Sequence, residues 1–273
     1  MVDMHIHTNN SDGQFATKEI VKMLKRIGIE IFSITDHDNI NSCKEMEKIE
    51  LPKNMEYIPG VEFSSINGIY NCHILGYNFD YNNAKLIEEC KLISERRLNK
   101  IKTIITYLEN ERDIDFTAKE LESLYNKQTL GRYDICKLLM KRNLGTKPEI
   151  YENYLTSIKG MKTHRVEIEN ITQAIKGANG ISILAHPKEI EDKYEIEIEE
   201  LITDFIEKGI NGIEAYNSIH TIKDTRRYLA LAKKYNLLIT GGSDFHGESH
   251  PERTLGKTLV YKVNLNSSNI RLR

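Results

Sequence analysis

Apolar positions along the first 80 residues switch between two periods. Residues 2–8 and 30–35 are short apolar or β-branched runs and read as strands. Between them, Thr17–Ile27 places Ile20, Leu24 and Ile27 on one helical face. Residues 41–49 read as a second helix, and 57–64 and 69–77 as two further strands. From about Asn83 to Leu155 the pattern is helical throughout. Leu86, Cys90, Ile93, Leu98, Ile101, Ile105 and Leu108 form one long stripe. Thr117-Ala-Lys-Glu120 is a capping box that opens a second helix, and Ile135, Leu138 and Leu139 belong to a third. This block carries many charges and no strand pattern, so 81–163 reads as a helical insertion that splits one scaffold into 1–80 and 164–273. Alternation then resumes: helices at 168–178, 198–208 and 223–235 lead to strands at 181–185, 212–216 and 237–241, with a last strand at 259–263. Repeated β-α units predict an α/β fold with a parallel sheet, open or closed into a barrel.

A chain of 273 residues can build one large domain or one domain with an insertion. The net charge of −2 gives no general affinity for nucleic acid or an anionic membrane, although a local basic groove is compatible with it. No apolar run approaches the roughly 20 residues that span a bilayer. The N-terminus lacks the basic-then-apolar pattern of a secretion signal. Cys43, Cys72, Cys90 and Cys136 are scattered and form no CxxC pair, so a reduced, cytoplasmic compartment is expected.

Polar residues gather where the strands end, the functional face of parallel α/β folds. His5-Ile-His7 closes the first strand, and alternation puts both imidazoles on one side. Asp12 follows in a Ser-Asp-Gly turn. Asp36-His37-Asp38 ends the second strand and could offer His37 with carboxylates behind it. Glu62 interrupts an apolar strand, where a carboxylate is rare unless it is paired or metal-bound. His73 lies in another apolar run, a setting where histidine is usually a satisfied core residue. His186 ends the strand at 181–185, and Asp244-Phe-His246 ends a later one between glycines that permit close backbone approach. Six of nine histidines and three carboxylates thus cluster at strand ends. Mixed His/Asp/Glu ligation without Cys suits Zn²⁺, Mn²⁺ or Fe²⁺ and disfavours a closed structural zinc site.

These residues resemble the PHP (polymerase and histidinol phosphatase) superfamily of metal-dependent phosphoesterases. The matching motifs are Asp3-Met-His-Ile-His7, Ser11-Asp-Gly13, Thr35-Asp-His-Asp38, Gly60-Val-Glu62, His73, Leu184-Ala-His-Pro187 and Gly242-Ser-Asp-Phe-His-Gly247. They span essentially the whole chain. The chain looks most like the stand-alone branch with nucleoside 3′,5′-bisphosphate phosphatases and 5′-to-3′ exoribonucleases. The resemblance implies a distorted (β/α)₇ barrel and two to three divalent ions (Mn, Fe or Zn). It assigns His5, His7, Glu62 and Asp244 to one ion. Asp12, His37 and His246 go to a second, and His73 and His186, with Glu62 bridging, to a third. It implies that a metal-bound hydroxide hydrolyses a small phosphorylated substrate, a nucleotide or short oligonucleotide, with no membrane and no obligate protein partner. Histidinol phosphate as substrate, or a non-catalytic scaffold role, are the competing implications. Gly131-Arg132 matches a motif whose arginine contacts phosphate, but Tyr133-Asp134 stands where a Pro-His pair often follows. His220, after Tyr216-Asn217, resembles a position near the substrate pocket.

Overall fold

The computed structural model describes residues 1–127, 129–156, 158 and 163–257; the strand expected at 259–263 lies outside them. Two sheets form the scaffold. The first is β1 (Val2–Asp3), β2 (Ile31–Phe32) and β3 (Glu56–Tyr57), all parallel. The second runs in the order β6-β4-β5-β7-β8-β9, from β4 (Gly60–Asn67), β5 (Tyr70–Tyr77), β6 (Val166–Glu167), β7 (Ile181–Leu184), β8 (Gly212–Asn217) and β9 (Leu238–Gly242). β5 runs antiparallel to both β4 and β7. The parallel β-α pattern is interrupted at this one strand among the described residues, because the two-residue turn between β4 and β5 leaves no room for a crossover helix.

No full ladder joins the two sheets, but backbone hydrogen bonds connect them at both seams. Met4 N donates to Gly241 O (3.1 Å), Asp244 N to His5 O (2.8 Å) and His7 N to Phe245 O (3.0 Å). On the other side Ile58 N donates to Phe32 O (2.9 Å), Glu62 N to Asp36 O (3.2 Å) and Asp38 N to Glu62 O (2.9 Å). Single bridges, Ile6 with Phe245 and His37 with Glu62, mark these seams. Traced through them, β1-β2-β4-β5-β7-β8-β9 make an incomplete seven-strand ring. The run at 2–8 is therefore regular over only two residues. Beyond Asp3 its backbone alternates between two neighbours, and the polar side chains at its end face inward.

Helices α1 (Thr17–Ile27), α2 (Asn41–Met46), α7 (Ile168–Gly177), α9 (Ile202–Glu207) and α10 (Ile222–Tyr235) fall where periodicity places them. The helix expected at 198–208 breaks into a 3₁₀ turn (Ile198–Glu200) and α9. Helix α8 (Pro187–Tyr194) was not expected. Its proline occupies the first turn, where a missing N–H costs nothing, so the residue that stops β7 also starts a helix.

The insertion consists of α3 (Ala84–Arg112), α4 (Ala118–Tyr125), α5 (Arg132–Lys141) and α6 (Lys147–Ile150), the last continuing as a π-helical turn. α3 is continuous across two cores. Leu86, Cys90 and Ile93 pack with Val61, Phe63 and Ile74 of the sheet. Ile101, Ile104, Ile105 and Leu108 pack with Ile135, Leu139 and Ile150 of the insertion. Each such buried side chain stabilises the fold by about 1.5–3 kcal/mol, so both ends of α3 are held.

Gly242 shows how tightly the ring is drawn at the β1–β9 seam. A Cβ there would lie 2.3 Å from His5 N and 2.4 Å from His5 Cβ. We expect Gly242→Ala to cost roughly 1–3 kcal/mol of stability. Calorimetry should show a melting point lower by about 2–4 °C per kcal/mol. An unchanged melting point would show that this approach can relax.

Candidate metal centre

The strand ends converge on Glu62. Its carboxylate sits mid-strand on β4, fully buried, with imidazoles on both sides. Oε1 accepts from His73 Nδ1 (3.0 Å) and His186 Nε2 (2.8 Å). Oε2 lies 3.0 Å from His37 Nδ1, 3.2 Å from His7 Nε2 and 3.4 Å from His5 Nε2. Asp244 Oδ1 stands 3.2 Å from His7 Nε2 and 3.4 Å from His5 Nε2. Asp12 Oδ1 lies 3.2 Å from His246 Nε2 and Asp12 Oδ2 3.8 Å from His37 Nε2. All nine residues that the sequence proposes as ligands therefore meet in one place. The side chains form four groups compact enough for an ion: His5, His7, Glu62 and Asp244; His7, Asp12, His37 and His246; His37, Glu62 and His73; and His73, His186 and Glu189. Glu189, on the first turn of α8, was not anticipated. His73 is no isolated core histidine, because its hairpin register puts Ser64 opposite it and turns its ring toward Glu62.

The donor set fits divalent cations. His5 Nε2, His7 Nε2, His37 Nδ1, His186 Nδ1, Asp12 Oδ1 and Asp244 Oδ1 are buried and make no hydrogen bond. So many inward-facing polar atoms without hydrogen bonds would be costly in an ordinary core. The carboxylates demand positive charge. Burial pushes His5 and His7 down, yet Asp244, Glu214 and Glu62 hold His5 well above the ordinary imidazole range. The carboxylates of Asp244 and Glu62, each 3.2 Å from His7 Nε2, bring His7 up to about 10. Burial against weaker compensation leaves His37 pushed down to about 3. Neutral imidazole and ionised carboxylate are the forms a metal takes.

Supporting residues surround this centre. Asp36, singled out in the sequence as part of Asp36-His37-Asp38, accepts from Thr8 N, Thr8 Oγ1 and Ser11 Oγ, each at 2.7 Å, and fixes the turn that carries Asp12. The sequence reading missed two others. Glu214, on β8, accepts from His5 Nδ1 at 3.0 Å. Arg253 contacts Asp244 Oδ2 and donates to Glu189 Oε1 at 3.0 Å. Both are lone charges in an ordinary sequence context, visible only once the partner is known.

A cavity of about 280 Å³ opens from Asp12, His37 and His73 toward the insertion. Arg97 and Lys100 of α3, Arg132 of α5, and His164 and Arg165 line it. Arg97 pairs with Asp38, and Arg165 donates to Ser65 O (3.2 Å) and Cys72 O (3.0 Å). Arg132 lies over the Tyr151 ring and reaches Leu155 O at 3.4 Å. Tyr133 lines the same cavity, while Asp134 accepts from Gly131 N (2.9 Å) and caps α5. His220 donates to Ala215 O (3.1 Å) and lines a second cavity with Tyr216 and Ile222, with His186 and Glu214 close enough to act on it electrostatically.

We expect His7→Ala and Asp244→Asn each to leave the protein folded but remove bound transition metal and phosphoesterase turnover together. Elemental analysis beside steady-state assays checks this, and near-normal metal content with near-normal turnover would refute it. Because His5, His7 and His186 hold protons above the usual range, a metal must displace them. Apparent Mn²⁺ affinity should therefore rise as pH increases from 6 to 9, with proton release seen by calorimetry in buffers of different ionisation enthalpy. A pH-independent affinity would contradict this.

The PHP domain family matches residues 3–218 of the chain. Among curated relatives, the 3′,5′-nucleoside bisphosphate phosphatase of Chromobacterium violaceum is 26% identical over 94% of this chain and 91% of its own length. A phosphoribosyl 1,2-cyclic phosphate 1,2-diphosphodiesterase of Eggerthella lenta is 26% identical over 90% and 94%. A 5′-3′ exoribonuclease of Haemophilus influenzae is 28% identical over 89% of each. In structure, a Bifidobacterium adolescentis protein assigned as a metal-dependent phosphoesterase superposes with a TM-score of 0.84, covering 97% of this chain and 94% of that one at 22% identity. Family, fold and a histidine-carboxylate centre thus agree: the chain belongs to the PHP domain family and is a metal-dependent phosphoesterase.

Proposed function

We propose that this enzyme hydrolyses a terminal phosphate, or the phosphodiester beside it, on a nucleotide or short oligonucleotide that carries a second phosphate. The observation that carries this reading is the basic cavity beside the metal centre. Lys100 and Arg132 line it with no carboxylate partner among the described residues. Burial, with Arg132, Arg97 and Arg165 nearby, pushes the Lys100 ammonium down to about 7. Such crowded positive charge favours a phosphate dianion over water. The cavity is at the lower end of the range for small-molecule sites, about 300–1,000 Å³. The relatives that act on nucleoside bisphosphates and RNA support the same substrate class.

In this reading His5, His7, Glu62 and Asp244 hold one divalent ion, and Asp12, His37 and His246 a second. His73 and His186 share Glu62 with them to hold a third. Bound ions would neutralise phosphoryl oxygens and acidify a water molecule at neutral pH. The chain's own task is placement. Arg132 and Lys100 hold the second phosphate, so the scissile one faces the centre. Tyr133 and Tyr151 line the same cavity and give the bound phosphate an apolar flank beside the cations.

Phosphate release from adenosine 3′,5′-bisphosphate, short 5′-phosphorylated RNAs, phosphoribosyl 1,2-cyclic phosphate and histidinol phosphate, with added Mn²⁺, tests the assignment. Turnover of histidinol phosphate alone would overturn it. We expect Arg132→Ala to reduce kcat/KM on bisphosphorylated or 5′-phosphorylated substrates by roughly 2–4 kcal/mol in transition-state terms. An aryl phosphate, which lacks the second anchor, should be little affected, and metal content should not change. Equal loss on both substrate types, or none on either, would remove Arg132 from recognition of the second phosphate.

A further inference from the structure

One buried carboxylate outside the ligand set touches two of the groups that face the ions. Glu214 has no exposed surface. Its Oε1 accepts from His5 Nδ1 at 3.0 Å. Its Oε2 accepts from the backbone N–H of His186 at 2.8 Å and from Asn217 Nδ2 at 3.0 Å. Each contact has a distinct consequence. A carboxylate only accepts, so the bond to His5 places a proton on Nδ1 and leaves Nε2, aimed at Glu62 and Asp244, free to ligate. The bond to His186 secures a strained backbone. His186 has φ 23° and ψ 64°, a region side-chain-bearing residues seldom adopt, and it precedes Pro187, which restricts it further. That conformation turns His186 Nε2 back onto Glu62 Oε1.

The register of β8 explains how one side chain reaches both. Its pairing with β9 slips between Glu214 and Tyr216. A bulge of this kind re-aims side chains next to active sites. Asn217, three residues on, then donates to the same carboxylate and fixes its rotamer.

We propose that Glu214 is a positioning residue that couples two ion positions, setting the ring of His5 for one and the backbone of His186 for another. The proposal rests on the metal-binding reading of the centre. Outer partners of metal-bound histidine contribute about 10–100-fold to affinity or activity. A glutamine at this position offers one acceptor in place of two, so it satisfies His5 or His186 but not both.

The test is Mn²⁺ binding to the metal-stripped protein, read by calorimetry, with Co²⁺ absorption spectra reporting ligand geometry. Glu214→Gln should lower Mn²⁺ affinity 10–100-fold and alter the Co²⁺ bands, while KM for substrate at saturating metal stays near wild type. Glu191→Gln is the control. Glu191 is a buried carboxylate held by Arg227, Tyr228 and Ile198 N, away from the centre. It should lower the melting point and leave Mn²⁺ affinity unchanged. Wild-type Mn²⁺ affinity in Glu214→Gln overturns the proposal. Should that variant not fold, Asn217→Ser removes the Nδ2 donor that steadies Glu214 while its hydroxyl can still accept from Ile219 N in place of Asn217 Oδ1. A several-fold loss of affinity there supports the proposal, and an unchanged affinity overturns it. Failure of wild-type protein to bind Mn²⁺ would instead overturn the metal-binding reading itself, so the two failures are distinguishable.

Discussion

Everything in this structure answers to one buried carboxylate. Glu62 lies in the middle of a strand with apolar neighbours, where an unpaired charge would cost several kcal/mol. It is tolerated because five imidazoles from four chain segments, His5 and His7, His37, His73 and His186, are brought within 3.4 Å of it. Those segments follow β1, β2 and β7 or lie within β5, so the ring of strands is also the frame of the site. Burial holds the carboxylate in place, and its surrounding imidazoles keep it well below the usual carboxylate range despite that burial.

The helical block lines the cavity beside the centre with cationic side chains. Its position is set by α3, which is rooted in the sheet core and continues without a break into the insertion's own core. Arg97 and Lys100 sit where the helix leaves the first core for the second, at the edge of the metal centre. A latch on the opposite side completes the arrangement. Asn39 Nδ2 donates to Thr129 Oγ1 (2.7 Å), and Thr129 Oγ1 donates to His37 O (3.0 Å). These contacts hold the loop before Arg132 beside the loop of His37.

Much of this was legible along the chain, for a physical reason. Periodicity of two and of 3.6 is imposed by backbone geometry, so α1, α3, α7 and α10 and the strand runs show themselves locally. His5, His7, His37, His186, Asp244 and His246 were legible as polar anomalies at strand ends and Glu62 as a carboxylate inside an apolar strand, whereas Asp12 and His73 joined the candidate ligand set only through the family resemblance. Arg132 was singled out by the resemblance of Gly131-Arg132 to a family motif, and it lines the cavity beside the centre. The antiparallel course of β5, the helix after Pro187 and the bridged seams of the ring were not, since each depends on which neighbour a backbone group finds.

The sequence alone determined the element types and the kinds of ligand, since both follow from residues near one another in the chain. Tertiary structure decided which charges meet. Glu214 stands 209 residues from His5, and Arg97 and Arg165 are separated by 68 positions yet share one cavity. His220, which the family resemblance put near the substrate pocket, lines a cavity with Tyr216 and Ile222 and donates to Ala215 O. Hydrogen bonding and charge pairing act over about 3 Å of space, and a chain that folds back on itself makes that distance independent of sequence separation.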